Sequence, residues 1–293
     1  MTSNYIQVKA NIPIFKFECP SDAKAVILET IEDLIYDLTS IPNCVEHIKF
    51  ENNFNQQIDK NVLPEGLQSI VFGHNFNQRI EKNVLPAGLH SIVFGNNFNQ
   101  SIETGVLPAG LHTLEFGYYH NQPIEKDVLP MGLQSLKFGN EFNQLIKEDV
   151  LPAELQSIYF DVAFNQPIGE NVLPSKLQSI YFGIMFDQPI EKNVLPKGLQ
   201  KIEFAHCFNQ PIDKDVLPAR LQSIQFGYKF NQPIDNISEK TKLYLKNIPS
   251  TVHKKLAISI HFYNNDTYFI NMYHYIKIYY IYRILLIMKY GFF

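Results

Sequence analysis

Phenylalanine stands at positions 50, 72, 94, 116, 138, 160, 182, 204 and 226, nine places spaced by 22 residues without a slip. A second apolar column follows four residues later, at Phe54, Phe76, Phe98, Phe142, Phe164, Phe186, Phe208 and Phe230, and only His120 interrupts it. Leucine from Leu67 to Leu221, isoleucine from Ile58 to Ile234, proline from Pro64 to Pro218 and glutamine from Gln56 to Gln232 keep the same step. A fixed period of this size marks stacked supersecondary units rather than a closed globule. No insertion disturbs the register between residues 41 and 235.

Each unit divides into parts with different physical demands. In "LQSIYF" the residues Ile180 and Phe182 are two apart, so both leave a strand on one face, and that face is the core. Glycine usually follows, at Gly73, Gly95, Gly117, Gly139, Gly183 and Gly227, where the chain must turn away from the strand. "FNQPI" carries a second apolar pair across that turn. The "EKNVLP" segment lies too close to prolines for a stable helix, because proline disfavours helix at the residue before it. It predicts an extended or single-turn outer segment that returns through Leu-Pro to the next strand. One such unit cannot cover its own apolar face, so neighbours must stack on it and pair strands with it.

Beside the second phenylalanine runs a column of asparagines: Asn55, Asn77, Asn99, Asn121, Asn143, Asn165, Asn209 and Asn231, with Asp187 as the one substitute. A turn repeated inside a solenoid leaves backbone groups that a stacked amide can satisfy from rung to rung. The column is therefore expected to be an internal hydrogen-bond ladder, with the glutamines next to it acting similarly.

The ends read differently. Residues 21–38 place Ile27, Leu28, Ile31, Leu34, Ile35 and Leu38 on one helical stripe behind a Ser21 or Asp22 cap, which predicts a helix covering the first rung within an N-terminal cap of residues 1–40. The solenoid proper is expected over 41–235. Residues 236–293 read as a degenerate last rung at 248–262, with Pro249, Val252, Leu256 and Ile258 spaced like one more unit, and an aromatic, basic tail. In that tail the uncharged run from Ile278 to Tyr282 is stopped by Arg283, well short of the roughly 20 residues that a spanning helix needs. Lys277, Arg283 and Lys289 leave membrane-surface contact as the alternative to a docked tail.

Composition narrows the chemistry. The whole chain carries 25 basic and 29 acidic residues, but residues 1–235 hold 17 and 27, a balance of −10, and residues 236–293 hold 8 and 2, a balance of +6. A nucleic-acid partner needs a basic face, which the body does not offer. Cys19, Cys44 and Cys207 form no C-x-x-C pair and no disulfide framework, and the opening residues lack a secretory pattern, so an intracellular, cytoplasmic setting is expected. No nucleophile elbow, phosphate-binding loop, dinucleotide fingerprint or zinc spacing is present, which predicts no enzyme, no cofactor and no metal. His90 and His112 share a column with Gln68, Gln134, Gln156, Gln178, Gln200 and Gln222, and so read as tolerant polar surface. Asp59, Glu81, Glu103, Glu125, Glu191 and Asp213 read as a solvated edge.

The repeated "FNQPI" with "VLP-x-G-L-x-S-I-x-F" resembles the FNIP repeat, a relative of the leucine-rich repeat, over residues 41–235. The resemblance implies a mainly β, leucine-rich-repeat-like solenoid with one parallel sheet, serving as a non-enzymatic protein-interaction scaffold with a protein partner. Some members of the family join such repeats to an N-terminal F-box, so the alternative is a ubiquitin-ligase substrate receptor with a divergent F-box-like N-terminus. On a sheet of this kind the residue between Ile and Phe points out of the concave face. It varies from copy to copy: Lys49, Val71, Val93, Glu115, Lys137, Tyr159, Tyr181, Glu203 and Gln225. Tyr159 and Tyr181, stacked with Val162, Ile184 and Met185 from the neighbouring turn, form the expected aromatic and apolar partner-binding patch.

Overall fold

The computed structural model describes residues 6–9, 14–15, 24–29, 35–36, 38–233, 241–245 and 260–261. The chain divides into two units, Met1–Ile260 and His261–Phe293, and the repeats lie in the first. The strands are β1 Ile6–Lys9, β2 Ile14–Phe15, β3 Ala25–Glu29, β4 Ile35–Tyr36, β5 His47–Phe50, β6 Ser69–Val71, β7 Ser91–Val93, β8 Thr113–Glu115, β9 Ser135–Lys137, β10 Ser157–Tyr159, β11 Ser179–Phe182, β12 Lys201–Phe204, β13 Ser223–Phe226, β14 Lys242–Leu245 and β15 Ile260–His261. Thirteen of them form one sheet in chain order, and β2 pairs with β4 in a small separate sheet. From β5 to β13 each strand pairs in parallel with the strand 22 residues on, so Ile70 faces Ile92 and Tyr159 faces Tyr181.

Alternation along each strand sets the two faces. In β11 the isoleucine and phenylalanine are buried, whereas the serine and Tyr181 are only half covered. Three turns then close every rung. Leu133 N–H donates to Pro130 O at 3.1 Å, and the same bond recurs in each Pro-x-x-Leu turn from Pro64 to Leu221. Phe142 N–H donates to Gly139 O at 3.2 Å, which folds the second phenylalanine back beneath the first. The outer "EKNVLP" segment is a turn without helix, in which Asn61, Asn83, Asp127, Asp149, Asn171, Asn193 and Asp215 take positive φ and Gly105 takes the eighth place. Asparagine, aspartate and glycine tolerate this left-handed conformation best, and this column contains nothing else.

Stacking the rungs aligns the two phenylalanine columns into parallel ring piles. Phe138 and Phe142 lie 3.8 Å apart within one rung, and Phe138 and Phe160 are 5.4 Å apart between rungs. All of these phenylalanines are buried. Each fully buried ring is worth about 2–3 kcal/mol in area, with about 0.5–1.5 more for each well-placed aromatic pair. At Gly139 the turn after the strand needs glycine for space, since a Cβ there would stand 1.7 Å from Gly117 O on the rung before.

Two features at the ends differ from the sequence expectation. The helix expected over 21–38 is instead the strand β3, whose Val26 and Leu28 pair with Ile48 and Phe50 of β5, followed by β4 and a 3-10 turn at Leu38–Ser40. The apolar run Ala25, Val26, Ile27 and Leu28 satisfies a buried strand as well as a helical stripe, and the edge of β5 supplies backbone partners that a helix would leave unmet. At the other end β14 pairs with β13 at a step of 19 residues, so Leu243 and Leu245 take the places of Ile and Phe in a shortened rung. Of the segment 248–262, only Ile260–His261 is described, as β15. The aromatic tail beyond it lies outside the described residues.

Candidate functional site

The sheet face turned away from the core carries the one strand position that changes freely between copies. Across β8 to β12 it reads Glu115, Lys137, Tyr159, Tyr181 and Glu203, brought side by side by the unbroken register. A second row on the same face reads Thr113, Ser135, Ser157, Ser179 and Lys201, and Ser157 and Ser135 share a hydroxyl–hydroxyl bond of 3.0 Å. Together these rows line a groove of about 570 Å³.

Its centre is aromatic. The rings of Tyr159 and Tyr181 are stacked 4.0 Å apart and within 1° of parallel. Lys137 Nζ lies 5.7 Å from the Tyr159 centroid, on a side chain that is ion-paired to Glu115. Beyond the pair, Lys201 Nζ is 2.5 Å from Glu203 Oε1. Asp161 also lines the groove, in a column that is glycine in most rungs. Burial pushes the Tyr159 phenol up, helped by the charges of Asp161 and Glu203, and burial likewise raises Tyr181. Both phenols therefore stay protonated as hydrogen-bond donors. Burial also raises the Asp161 carboxyl, opposed by the Lys137 ammonium.

The other expected patch residues do not join this groove. Val162 is buried at 9 % exposure, so it belongs with the turn's packing and not with an exposed surface. Ile184 and Met185 are half-buried on the turn after β11 and do not line the groove. The exposed aromatic side chains of the same turn row are Tyr119 and Tyr228, at 48 % and 49 % exposure. Asp161 was the residue that sequence reading passed over. Its signal was a carboxylate standing where six neighbouring copies place glycine.

Beside the second phenylalanine, Asn143 Oδ1 accepts from Asn165 N–H at 2.9 Å and from Gln166 Nε2 at 3.2 Å. The same pair of bonds runs from Asn55 through Asn77, Asn99, Asn121, Asn143, Asn165, Asp187 and Asn209 to Asn231 and Gln232. Asp187 keeps the series unbroken because only an acceptor oxygen is required, and Asn209 N–H reaches its Oδ1 at 2.8 Å. Asn143→Ala is therefore expected to cost about 1–3 kcal/mol by orphaning two donors, while Asn143→Asp costs less than about 1 kcal/mol. Urea titration of the two variants against the parent checks the difference.

His90 and His112 are exposed and stack at 5.2 Å, and among the described residues no group of three His, Cys, Asp or Glu is placed to hold a metal ion. The acidic column from Asp59 to Asp213 is exposed. No helix among the described residues is long and apolar enough to cross a membrane.

Comparison with known proteins agrees with this architecture. The model of the FNIP Repeat matches residues 37–75, 76–119, 120–161, 164–207 and 208–238. The crystal structure of CroV588, described as a novel circular LRR protein structure, is similar at 35 % identity and a TM-score of 0.71. The match covers 87 % of this chain and 41 % of that one, so the chain spans about two fifths of the length of this relative. YopM from Yersinia enterocolitica WA-314 matches at 18 % identity and a TM-score of 0.45, over 84 % of this chain and 57 % of that one. No curated protein matches. With five successive matches over a leucine-rich-repeat-like sheet, the chain belongs to the FNIP-repeat family.

Proposed function

We propose that the chain is a protein-interaction scaffold, which binds a protein partner across the open face of its sheet and catalyses no reaction of its own. The observation that carries this reading is the contrast between the two faces of one strand. The inward positions hold the same residue types from rung to rung, whereas the outward position ranges from valine to glutamate to tyrosine over an otherwise repeated backbone. Tyrosines held rigid by stacking supply contact area at low entropic cost, as binding hot spots do.

The test compares the intact chain with a Tyr159→Glu, Tyr181→Glu variant, shown by circular dichroism to be folded, as baits in a quantitative pull-down from cell lysate. A partner retained by the parent and lost from the variant is the expected result. Identical lists from both baits would move the search away from the open face. The substrate-receptor alternative places an adaptor contact in residues 1–40. Within that span β3 is the next rung of the repeat sheet, which leaves no separate adaptor helix over Ala25–Glu29.

A further inference from the structure

The groove contains its own example of the ligand it suits. On the outer face of Tyr159 a cation, Lys137 Nζ, sits 5.7 Å from the ring centroid with the carboxylate of Glu115 behind it. The other end of the tyrosine pair repeats half of that arrangement. Tyr181 faces Glu203 on the next strand in paired register, whereas Asp161 belongs to the Tyr159 rung, beside Lys137. Among the described residues Glu203 is ion-paired to Lys201, whose side chain is more than half exposed, and such surface ion pairs exchange partners at little cost. Among the described residues no cation lies over the Tyr181 ring as Lys137 lies over Tyr159.

Resting on the scaffold reading above, we propose that the open face recognises a cationic side chain, arginine in preference to lysine, presented by an extended basic segment of the partner protein. The guanidinium would stack on the outer face of Tyr181 and engage Glu203 through its N–H groups. Arginine is favoured because its plane matches both a ring face and a carboxylate, whereas an ammonium offers a point charge. The residues named as groove lining carry three carboxylates, Glu115, Asp161 and Glu203, against two ammonium groups, Lys137 and Lys201. Residues 1–235, at −10 overall, draw a basic segment toward this face.

The experiment is fluorescence anisotropy of the full chain with three labelled peptides of alternating glycine and arginine, glycine and lysine, or glycine and glutamine. The arginine peptide is expected to bind at least about tenfold more tightly than the glutamine peptide, and more tightly than the lysine peptide. Glu203→Gln, and separately Tyr181→Leu, are each expected to weaken arginine binding about tenfold. Glu191→Gln with Asp213→Asn removes two charges from the exposed edge and is expected to change it less than about twofold. Equal weakening by the edge and groove variants would overturn the proposal in favour of diffuse attraction, and so would equal binding of all three peptides or none. If Tyr181→Leu fails to fold, Glu203→Gln decides. Should the peptides fail while the Tyr159→Glu, Tyr181→Glu bait still loses a partner, the scaffold reading stands and the cation does not; if both fail, both fall.

Discussion

Replacing Phe160 with alanine is expected to remove about 3–5 kcal/mol of stability and to change the shape of the unfolding curve as well as its midpoint. Phe160 is fully buried and touches its own rung at Phe164, 3.9 Å between centroids, and both neighbours, Phe138 at 5.4 Å and Phe182 at 6.0 Å. In a solenoid each rung depends on the two beside it, so one deletion in mid-array weakens two interfaces. The segments on either side should then unfold as partly independent blocks, giving a broadened or two-step urea transition. Phe50→Ala lies near one end of the well-stacked array and should instead fray it, shifting the midpoint less. Urea denaturation followed by circular dichroism separates these outcomes.

His120→Phe is expected to stabilise the chain by about 3 kcal/mol, and the gain should grow on acidification. His120 occupies a phenylalanine place, stacked 4.0 Å from Phe116, with no exposed surface. Neither of its ring nitrogens makes a hydrogen bond of normal geometry among the described residues, and the Phe98 backbone beside the ring offsets only part of the burial. Phenylalanine fits that space in every other rung, so the exchange removes two unpaired buried polar atoms without overpacking. Burial also lowers the His120 pKa to about 4 from an ordinary 6.5. The unfolded chain therefore takes up a proton as pH falls below 6.5, while the folded chain resists until about 4. Stability from the buried neutral ring is present in full above 6.5 and is lost progressively through that window, roughly 3 kcal/mol in all. Thermal melts of parent and variant at pH 7.5, 6, 5 and 4, on the order of one unit apart, should diverge steadily toward acid.

Most of the fold was legible because a solenoid turns sequence period directly into spatial contact. Phe72, Phe94 and Phe116 could be placed in one pile from their spacing alone, and the asparagine column pointed to bonds that cross between rungs. The first rung was harder to see, since Ile27, Leu28, Ile31, Leu34, Ile35 and Leu38 fit a helical stripe. The deciding signal was Pro20, Ala23, Val26 and Leu28, which repeat the offsets of Pro42, Val45, Ile48 and Phe50. The left-handed turn was also written in the sequence, as a column of only Asn, Asp and Gly from Asn61 to Asp215. At the candidate site, Tyr159 and Tyr181 followed from register. Val162 did not, because a variable turn position can point inward, and Asp161 did not, because a glycine column draws no attention to its exceptions.

The most direct test of the open face as a binding surface is site-specific photo-crosslinking in cell lysate. The full chain would carry p-benzoylphenylalanine at position 181 in one form and at position 126, on the exposed outer turn, in the other. The account predicts crosslinks to another protein from position 181 and none to that protein from position 126. Crosslinks from 126 alone, or equally from both positions, would contradict it.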